Sequence, residues 1–195
     1  MSIIKNKIQN PERLTPVPEK AFSHISAMLG DSLRGDKAPL NILGQLLNSE
    51  KVANLFLPYW AKSKVEMSLS QRQQEIIILR SACVFGCEYV WGHHVPVAKQ
   101  AGMSDDEILQ IKLATADTSL AEAEKILLEV TDQVYKSANI SNDLWEQVNH
   151  YYKTEQILDI ITVISQYVVF NAVNNIYGIK LENSTMPSLG EVNTT

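Results

Sequence analysis

The stretch QRQQEIIILRSACVFGCEYVWGHHVPVAKQAG, residues 71–102, decides the fold class. Residues 71–85 are apolar on most of the helical circumference, which is typical of a helix buried in a core or between subunits. Gly86 interrupts this pattern, and a second helical segment at 87–101 is ended by Gly102. The stretch therefore predicts two buried helices joined by a short break.

Helical patterns continue on both sides of this pair, and no segment shows the period-two alternation of a strand. Ser104 with Glu107, and Ser119 with Glu122, have the spacing of capping boxes that open helices. The sequence predicts an all-α fold in one domain over 19–182. Further helices are expected at 19–29, 40–47, 51–67, 104–114, 119–136, 141–152 and 154–177.

Two terminal segments are expected to lie outside the helical domain. Residues 1–18 hold Pro11, Pro16 and Pro18, which favour an extended arm because proline lacks the backbone N–H. Residues 183–195 are small and polar, so we expect a disordered tail.

Charge and hydropathy limit the partners of the chain. A net charge of -5 argues against nucleic acid, which requires a basic surface. The first residues contain no apolar run of the kind that a signal peptide requires, so we expect none. The apolar segment 157–176 carries Asp159 and Gln166, which disfavour a membrane span. We therefore expect a cytoplasmic protein whose two cysteines form no structural disulfide.

A thiol, an imidazole and a carboxylate form the candidate site. Cys87 and His94 are seven residues apart, so they share one helix face, and Cys87 lies at the expected helix start. A helix N-terminus and a nearby imidazolium can lower a cysteine pKa from about 8.5 to roughly 3.5–7.5. Glu75, on the preceding apolar helix, could orient the imidazole or relay a proton. Equally, Cys87 could simply pack, His94 could bond a carbonyl, and Glu75 could pair with Arg72.

The same residues carry a resemblance. Glu75, Cys87, His94 and Gly102, with Ala98 between the last two, resemble the signature of the carboxymuconolactone decarboxylase superfamily, which includes alkyl hydroperoxidase D (AhpD). The variant Cys-x-Tyr-x-Trp-x-x-His, found in many members, corresponds to Cys87, Tyr89, Trp91 and His94. The resemblance centres on residues 69–114 and implies an all-helical protein that assembles as homotrimers or homohexamers.

One departure from the family pattern bears on activity. Family peroxidases use two cysteines, one attacking the peroxide and one resolving the sulfenic acid. Val90 stands where the second cysteine is expected, and Cys83 is a candidate replacement for the resolving thiol. Tyr89, Trp91 and His93 are candidate pocket residues. We expect no cofactor and no metal, because neighbouring helical residues such as His93 and His94 point about 100° apart.

Three functions remain open on the sequence. The first is a thiol-dependent hydroperoxide reductase, an antioxidant oxidoreductase with peroxiredoxin-type activity. In this reaction Cys87 attacks the peroxide, and Glu75 and His94 relay protons. Cys83 or an external thiol then reduces the sulfenic acid. The second is a lyase, such as a decarboxylase, acting on a lactone or small carboxylated metabolite, with Arg72 or Arg80 as the nearest candidate anchor. The third is a non-catalytic oligomeric scaffold.

Overall fold

The structure is a computed structural model that describes residues 8–15, 17, 40–113 and 119–190. Within these residues it contains eight α-helices and no strand, which confirms the all-α prediction. The helices are α1 (Asn41–Leu46), α2 (Glu50–Glu66), α3 (Gln71–Phe85), α4 (Glu88–Gln100), α5 (Asp105–Leu113), α6 (Glu122–Ser137), α7 (Asn142–Tyr151) and α8 (Thr154–Tyr177).

Helix α3 is the centre of the fold, and its two ends are fixed by local chemistry. Ser70 and Gln73 form a capping box at its start, with each side chain bonded to the other residue's backbone N–H. At its end Gly86 adopts a left-handed conformation with φ 61°, which glycine takes at little cost. The intervening residues, among them Ile76, Ile77 and Leu79, are fully buried against α4, α6 and α8.

Most predicted helices are confirmed to within a few residues, but one predicted start signal is wrong. Helix α6 begins at Glu122, where the Ala121 N–H donates to the Glu124 carboxylate. The backbone N–H and hydroxyl of Ser119 both bond instead to Gln110 Oε1, so Ser119 caps no helix. The predicted helix at 19–29 lies outside the described residues.

The C-terminal segment differs from the expected disordered tail over residues 183–190. The side chain of Leu189 is fully buried, and its backbone N–H donates to the Glu88 carboxylate. Ser188 Oγ donates to the same carboxylate at 2.7 Å. Burial of the Leu189 side chain therefore fixes this segment although the residues around it are small and polar. Residues 191–195 lie outside the described part of the chain.

Helix α8 is long and apolar enough to cross a membrane by length and composition. One such helix is weak evidence for a span, because the core helix of a soluble protein passes the same test. In this structure α8 packs on α3 and places polar Gln166 and Asn171 in the interior. These contacts are those of a core helix.

The N-terminal arm crosses the ends of two core helices. The Ile8 N–H donates to the Gly86 carbonyl at 2.9 Å, and the Arg13 N–H donates to the Tyr177 carbonyl at 3.0 Å. Between these contacts the arm passes directly over Gly178, which follows α8. A Cβ at Gly178 would lie 2.3 Å from the Pro11 carbonyl oxygen.

We therefore expect Gly178→Ala to destabilise the protein more than Gly102→Ala does. Both glycines have positive φ, which costs an alanine about 1–2 kcal/mol. Only the Gly178 variant must also displace the arm, since nothing lies within 4 Å of a Cβ built at Gly102. Urea denaturation of both variants measures the difference. Equal losses of unfolding free energy would contradict a tightly seated arm.

Candidate active site

A hydrogen-bonded chain of three side chains links three helices in the interior. His94, on α4, places Nδ1 2.8 Å from Glu75 Oε2, on α3. Its other ring nitrogen, Nε2, lies 3.0 Å from the hydroxyl of Tyr167, on α8. Glu75 is 3% exposed, so its carboxylate depends on this partner. The structure thus brings together two of the three predicted catalytic residues and adds Tyr167.

Tyr167 serves this chain as a proton donor. Burial raises the pKa of its hydroxyl well above the usual value, and the nearby Glu75 charge raises it further. The phenol therefore keeps its proton at neutral pH and can donate it to His94 Nε2. With the Glu75 carboxylate accepting from Nδ1–H, the imidazole is held in one orientation and one tautomer.

Cys87 occupies the predicted position at the start of α4, but its thiol is not activated there. It is fully buried, and burial raises its pKa to about 12. The backbone N–H groups of Val90 and Tyr89 act in the opposite direction without overcoming burial. No hydrogen bond joins Cys87 to His94 among the described residues. The expectation of a lowered pKa is thus wrong, because desolvation exceeds the effect of the helix end.

The Cys83 thiol is in a similar environment. It lies in the buried part of α3, and burial raises its pKa to about 12, with the Arg80 charge opposing. Both cysteines are free thiols. The helix ends at Phe85, and the Cys87 N–H turns back to the Ala82 carbonyl, so the two thiols do not share the face of one continuous helix.

A small cavity of about 50 Å³ borders the His94–Tyr167 pair. Val90 faces this space. Cys87 and Trp91 are not among the lining residues, and Trp91 is buried in the core. The lining consists of Leu40, Ile42, Leu43, Trp60, Tyr89, Val90, His93, His94, Tyr167, Phe170 and Asn174.

A second polar cluster reaches the small cavity through Tyr89 and His93. Glu182, from the C-terminal segment, accepts from the Tyr89 hydroxyl at 2.6 Å and lies 2.7 Å from His93 Nε2. Burial would raise the Glu182 pKa, but the hydrogen bonds from His93, Tyr89 and the Asn41 N–H lower it to about 2. His93 is thus committed to Glu182, although it borders the cavity. No group of three or more metal-ligating side chains occurs within the described ranges.

The two arginines predicted as substrate anchors are already paired. Arg72 bonds both Glu107 and Glu124, so Glu75 does not pair with it. The Arg80 guanidinium, 2% exposed, makes two bonds of 2.6 Å to Asp132. The decarboxylase hypothesis therefore loses both of its proposed carboxylate anchors.

A larger cavity of about 390 Å³ also borders the Glu75–His94–Tyr167 hydrogen bonds. Glu75 and Tyr167 border it, together with Trp60 and Lys64. Lys64 holds its ammonium 4.6 Å from the centre of the Trp60 ring. Trp60 and Tyr167 line both cavities and so form the wall between them.

The sequence alone did not identify three residues of the site. Tyr167 and Asn174 are two of several polar groups in a mostly apolar helix, a weak signal for a site. Glu182 lies near the end of the domain and offers no local pattern. All three are brought to the site by tertiary packing, which spacing within one helix does not reveal.

Comparison with known proteins finds a family match for the central part of the chain. Residues 50–133 match the sequence model of the carboxymuconolactone decarboxylase family. This segment contains Glu75, Cys87 and His94 but not Tyr167. The uncharacterised protein YdfG of Bacillus subtilis (strain 168) is 22% identical over 111 residues, which cover 56% of this chain and 76% of YdfG.

Solved structures agree on the fold. The debrominase Bmp8 is 15% identical, with a TM-score of 0.76 over 88% of this chain and 93% of Bmp8. A peroxidase-related protein of Ralstonia eutropha JMP134, described as an alkylhydroperoxidase AhpD core, is 16% identical, with a TM-score of 0.71 over 89% of this chain and 94% of that protein. At these identities the likeness concerns the fold alone. Residues 50–133 thus resemble the carboxymuconolactone decarboxylase family, and the described part of the chain has the AhpD-like all-helical fold.

Proposed function

We propose that this chain is an enzyme that transfers a proton at His94, acting as a lyase or isomerase on a small molecule. The observation that carries the proposal is the placement of His94 between the Glu75 carboxylate and the Tyr167 hydroxyl. In this arrangement a buried carboxylate orients the imidazole, and the other ring nitrogen faces a hydroxyl donor at a cavity wall. Such an arrangement is suited to general acid–base catalysis.

The proton follows this chain of hydrogen bonds. As a substrate proton is taken up by the Tyr167 oxygen, Tyr167 passes its own proton to His94 Nε2. The imidazolium that results is stabilised by the Glu75 carboxylate at Nδ1. The reverse transfer returns the proton to the product. Because burial raises the Tyr167 pKa, the two transfers are concerted and no free tyrosinate forms.

Thiol-dependent hydroperoxide reduction is the second candidate. Its support is the contact of Cys87 with two backbone N–H groups at a helix start, together with the peroxidase-related description of structural relatives. The Cys87 thiolate would attack one peroxide oxygen and the O–O bond would break. The products would be a sulfenic acid and an alcohol that gains a proton, and an external thiol would then reduce the sulfenic acid. This route requires Cys87 to lose both its burial and its proton.

Cys87→Ser is expected to retain turnover and thereby separate the two candidates. The substrate comes from a panel of small lactones and carbonyl compounds, with product formation followed by mass spectrometry. Wild-type Cys87 should form sulfenic acid with tert-butyl hydroperoxide no faster than a free thiol does, because its pKa is about 12. Rapid trapping of sulfenic acid at Cys87 would instead establish the peroxidase and reject the lyase.

We also propose that the protein forms homotrimers or homohexamers. One face of α8 exposes a row of apolar side chains, and such a row is typical of a subunit interface. The row consists of Leu158, Ile161, Val168, Val169 and Ile176. The two free thiols fit a reducing compartment, so we propose a cytoplasmic location.

Lysine at both Leu158 and Ile161 is expected to reduce the oligomer to smaller species. Burying two charges at an interface is costly, whereas a lysine in water is not. Sedimentation velocity of the variant and the wild type measures the change. Leu109→Lys, on α5, is the control, since Leu109 is half exposed on another helix. A wild-type protein that sediments as a monomer would contradict the proposal.

A further inference from the structure

We propose that the small cavity beside His94 binds the neutral hydroxyl group of a short apolar molecule. The inference rests on the proposed function, because it takes this cavity as the substrate site. It adds the chemical class of the ligand that the cavity accepts. Three features support it: an apolar lining, one buried donor without a partner, and one buried acceptor without a partner.

The lining favours a neutral ligand over an anion. Leu40, Ile42, Leu43 and Phe170 supply most of the apolar wall. Among the described residues that border the cavity there is no lysine or arginine, and His93 is already paired with Glu182. A carboxylate entering this space would lose its hydration without gaining a free cation. The cavity therefore discriminates against the carboxylated substrates expected for a decarboxylase.

Trp60 supplies the unpartnered donor. Its indole Nε1 is buried and lies near the Tyr167 hydroxyl, but it makes no hydrogen bond of normal geometry there. An indole N–H can only donate, so a ligand that completes its bonding must carry an acceptor. A buried donor without a partner is uncommon in a native interior, and a ligand is one explanation for its presence.

Asn174 supplies the unpartnered acceptor. Its Nδ2 donates to the Phe170 carbonyl at 2.8 Å, and this bond identifies which amide atom is nitrogen. The remaining atom, Oδ1, is buried and has no donor. A hydroxyl group suits either atom, because it can accept from Trp60 or donate to Asn174.

The volume limits the rest of the molecule. About 50 Å³ is room for roughly three to five water-sized groups. A ligand of this size is a short-chain alcohol or a compound of similar bulk. The hydroxyl group would then lie in the cavity that His94 and Tyr167 border, the place where the proposed proton transfer occurs.

The test is ligand binding to protein labelled with 5-fluorotryptophan and followed by ¹⁹F NMR. The chain has three tryptophans, so three signals are expected, and loss of one in Trp60→Phe assigns Trp60. 1-Butanol should shift the Trp60 signal in a saturable manner. Trp145, half exposed on α7, provides a reference signal that should not move.

Two matched ligands define the specificity. Methyl propyl ether is an isomer of 1-butanol that cannot donate to Asn174, and butyrate carries the charge that the cavity disfavours. Each should bind at least about tenfold more weakly than 1-butanol, a difference of about 1.4 kcal/mol. Equal binding of the alcohol and the ether, or tighter binding of butyrate, would overturn the inference even without any variant.

Variants then locate the effect. Asn174→Leu should abolish the preference for the alcohol over the ether. Asn171→Leu is the control, because Asn171 is also buried and unpartnered on α8 but does not border the cavity. The His94→Ala protein should still bind 1-butanol. Selective binding of the alcohol by a protein without turnover would support the inference and reject the proposed function. Turnover without selective binding would support the proposed function and reject the inference.

Discussion

Replacing His94 by alanine is expected to lower turnover by roughly 10²–10⁴-fold, the usual contribution of a general acid–base group. His94 contacts both the Glu75 carboxylate and the Tyr167 hydroxyl. Without the imidazole, a proton taken up by Tyr167 has no base to receive it. The rate of product formation from the substrate found with wild-type protein, measured under saturating conditions, gives the loss in kcat.

The control for this variant is His150→Ala. His150 lies in the last turn of α7, is exposed and takes no part in the site. The His150→Ala variant should leave kcat unchanged. A loss seen only in His94→Ala is then due to the imidazole of the site and not to the removal of a histidine in general. A His94→Ala protein that keeps its fold and more than a tenth of the wild-type kcat would contradict the proposed role. It would favour the non-catalytic scaffold if the wild type itself showed no turnover.

Asp132→Ala is expected to destabilise the protein by roughly 3–5 kcal/mol, the usual cost of leaving a buried charge unpaired. Arg80 is fully buried and makes two bonds to Asp132, and it also donates to the carbonyls of Ile111 and Lys112. Removing the carboxylate leaves the guanidinium charge uncompensated. Urea denaturation measures the unfolding free energy.

Two further variants sharpen this result. Arg80→Met combined with Asp132→Leu should recover much of the loss, because an apolar pair removes both charges. Glu107→Ala should cost about 1 kcal/mol or less, since its partner Arg72 is partly exposed and also bonds Glu124. A loss below about 1 kcal/mol in Asp132→Ala would contradict the structural role of Arg80 and return it to consideration as a substrate anchor.

The sequence was most informative where the structure depends on local chemistry. The bounds of α3 are those predicted, because the Ser70 capping box and the left-handed Gly86 act within a few residues of the helix ends. The pairing of Glu75 with His94 could also be predicted, because α3 and α4 follow each other directly in the sequence. Ser119 shows the limit, because its hydroxyl has a partner outside the capping pattern.

Prediction was weaker where burial determines the chemistry. A cysteine at a helix start has the same sequence signature whether it is exposed or fully buried. For Cys87 burial outweighs the helix end, so the pKa of the thiol is raised where the sequence predicted that it would be lowered. Tyr167 and Glu182 reach the site from the C-terminal third of the chain, and no local pattern connects them with His94.

The chain order of the site has a consequence for how the protein matures during synthesis. Glu75 and His94 emerge from the ribosome well before Tyr167 and Glu182, which lie near the end of the 195 residues. N-terminal parts of a chain generally fold first. Until α8 arrives, the apolar face of α3 lacks one of the three helices that cover it, and the imidazole lacks its second partner. A nascent chain stalled before residue 154 should therefore expose apolar surface to chaperones and hold an unfinished catalytic centre.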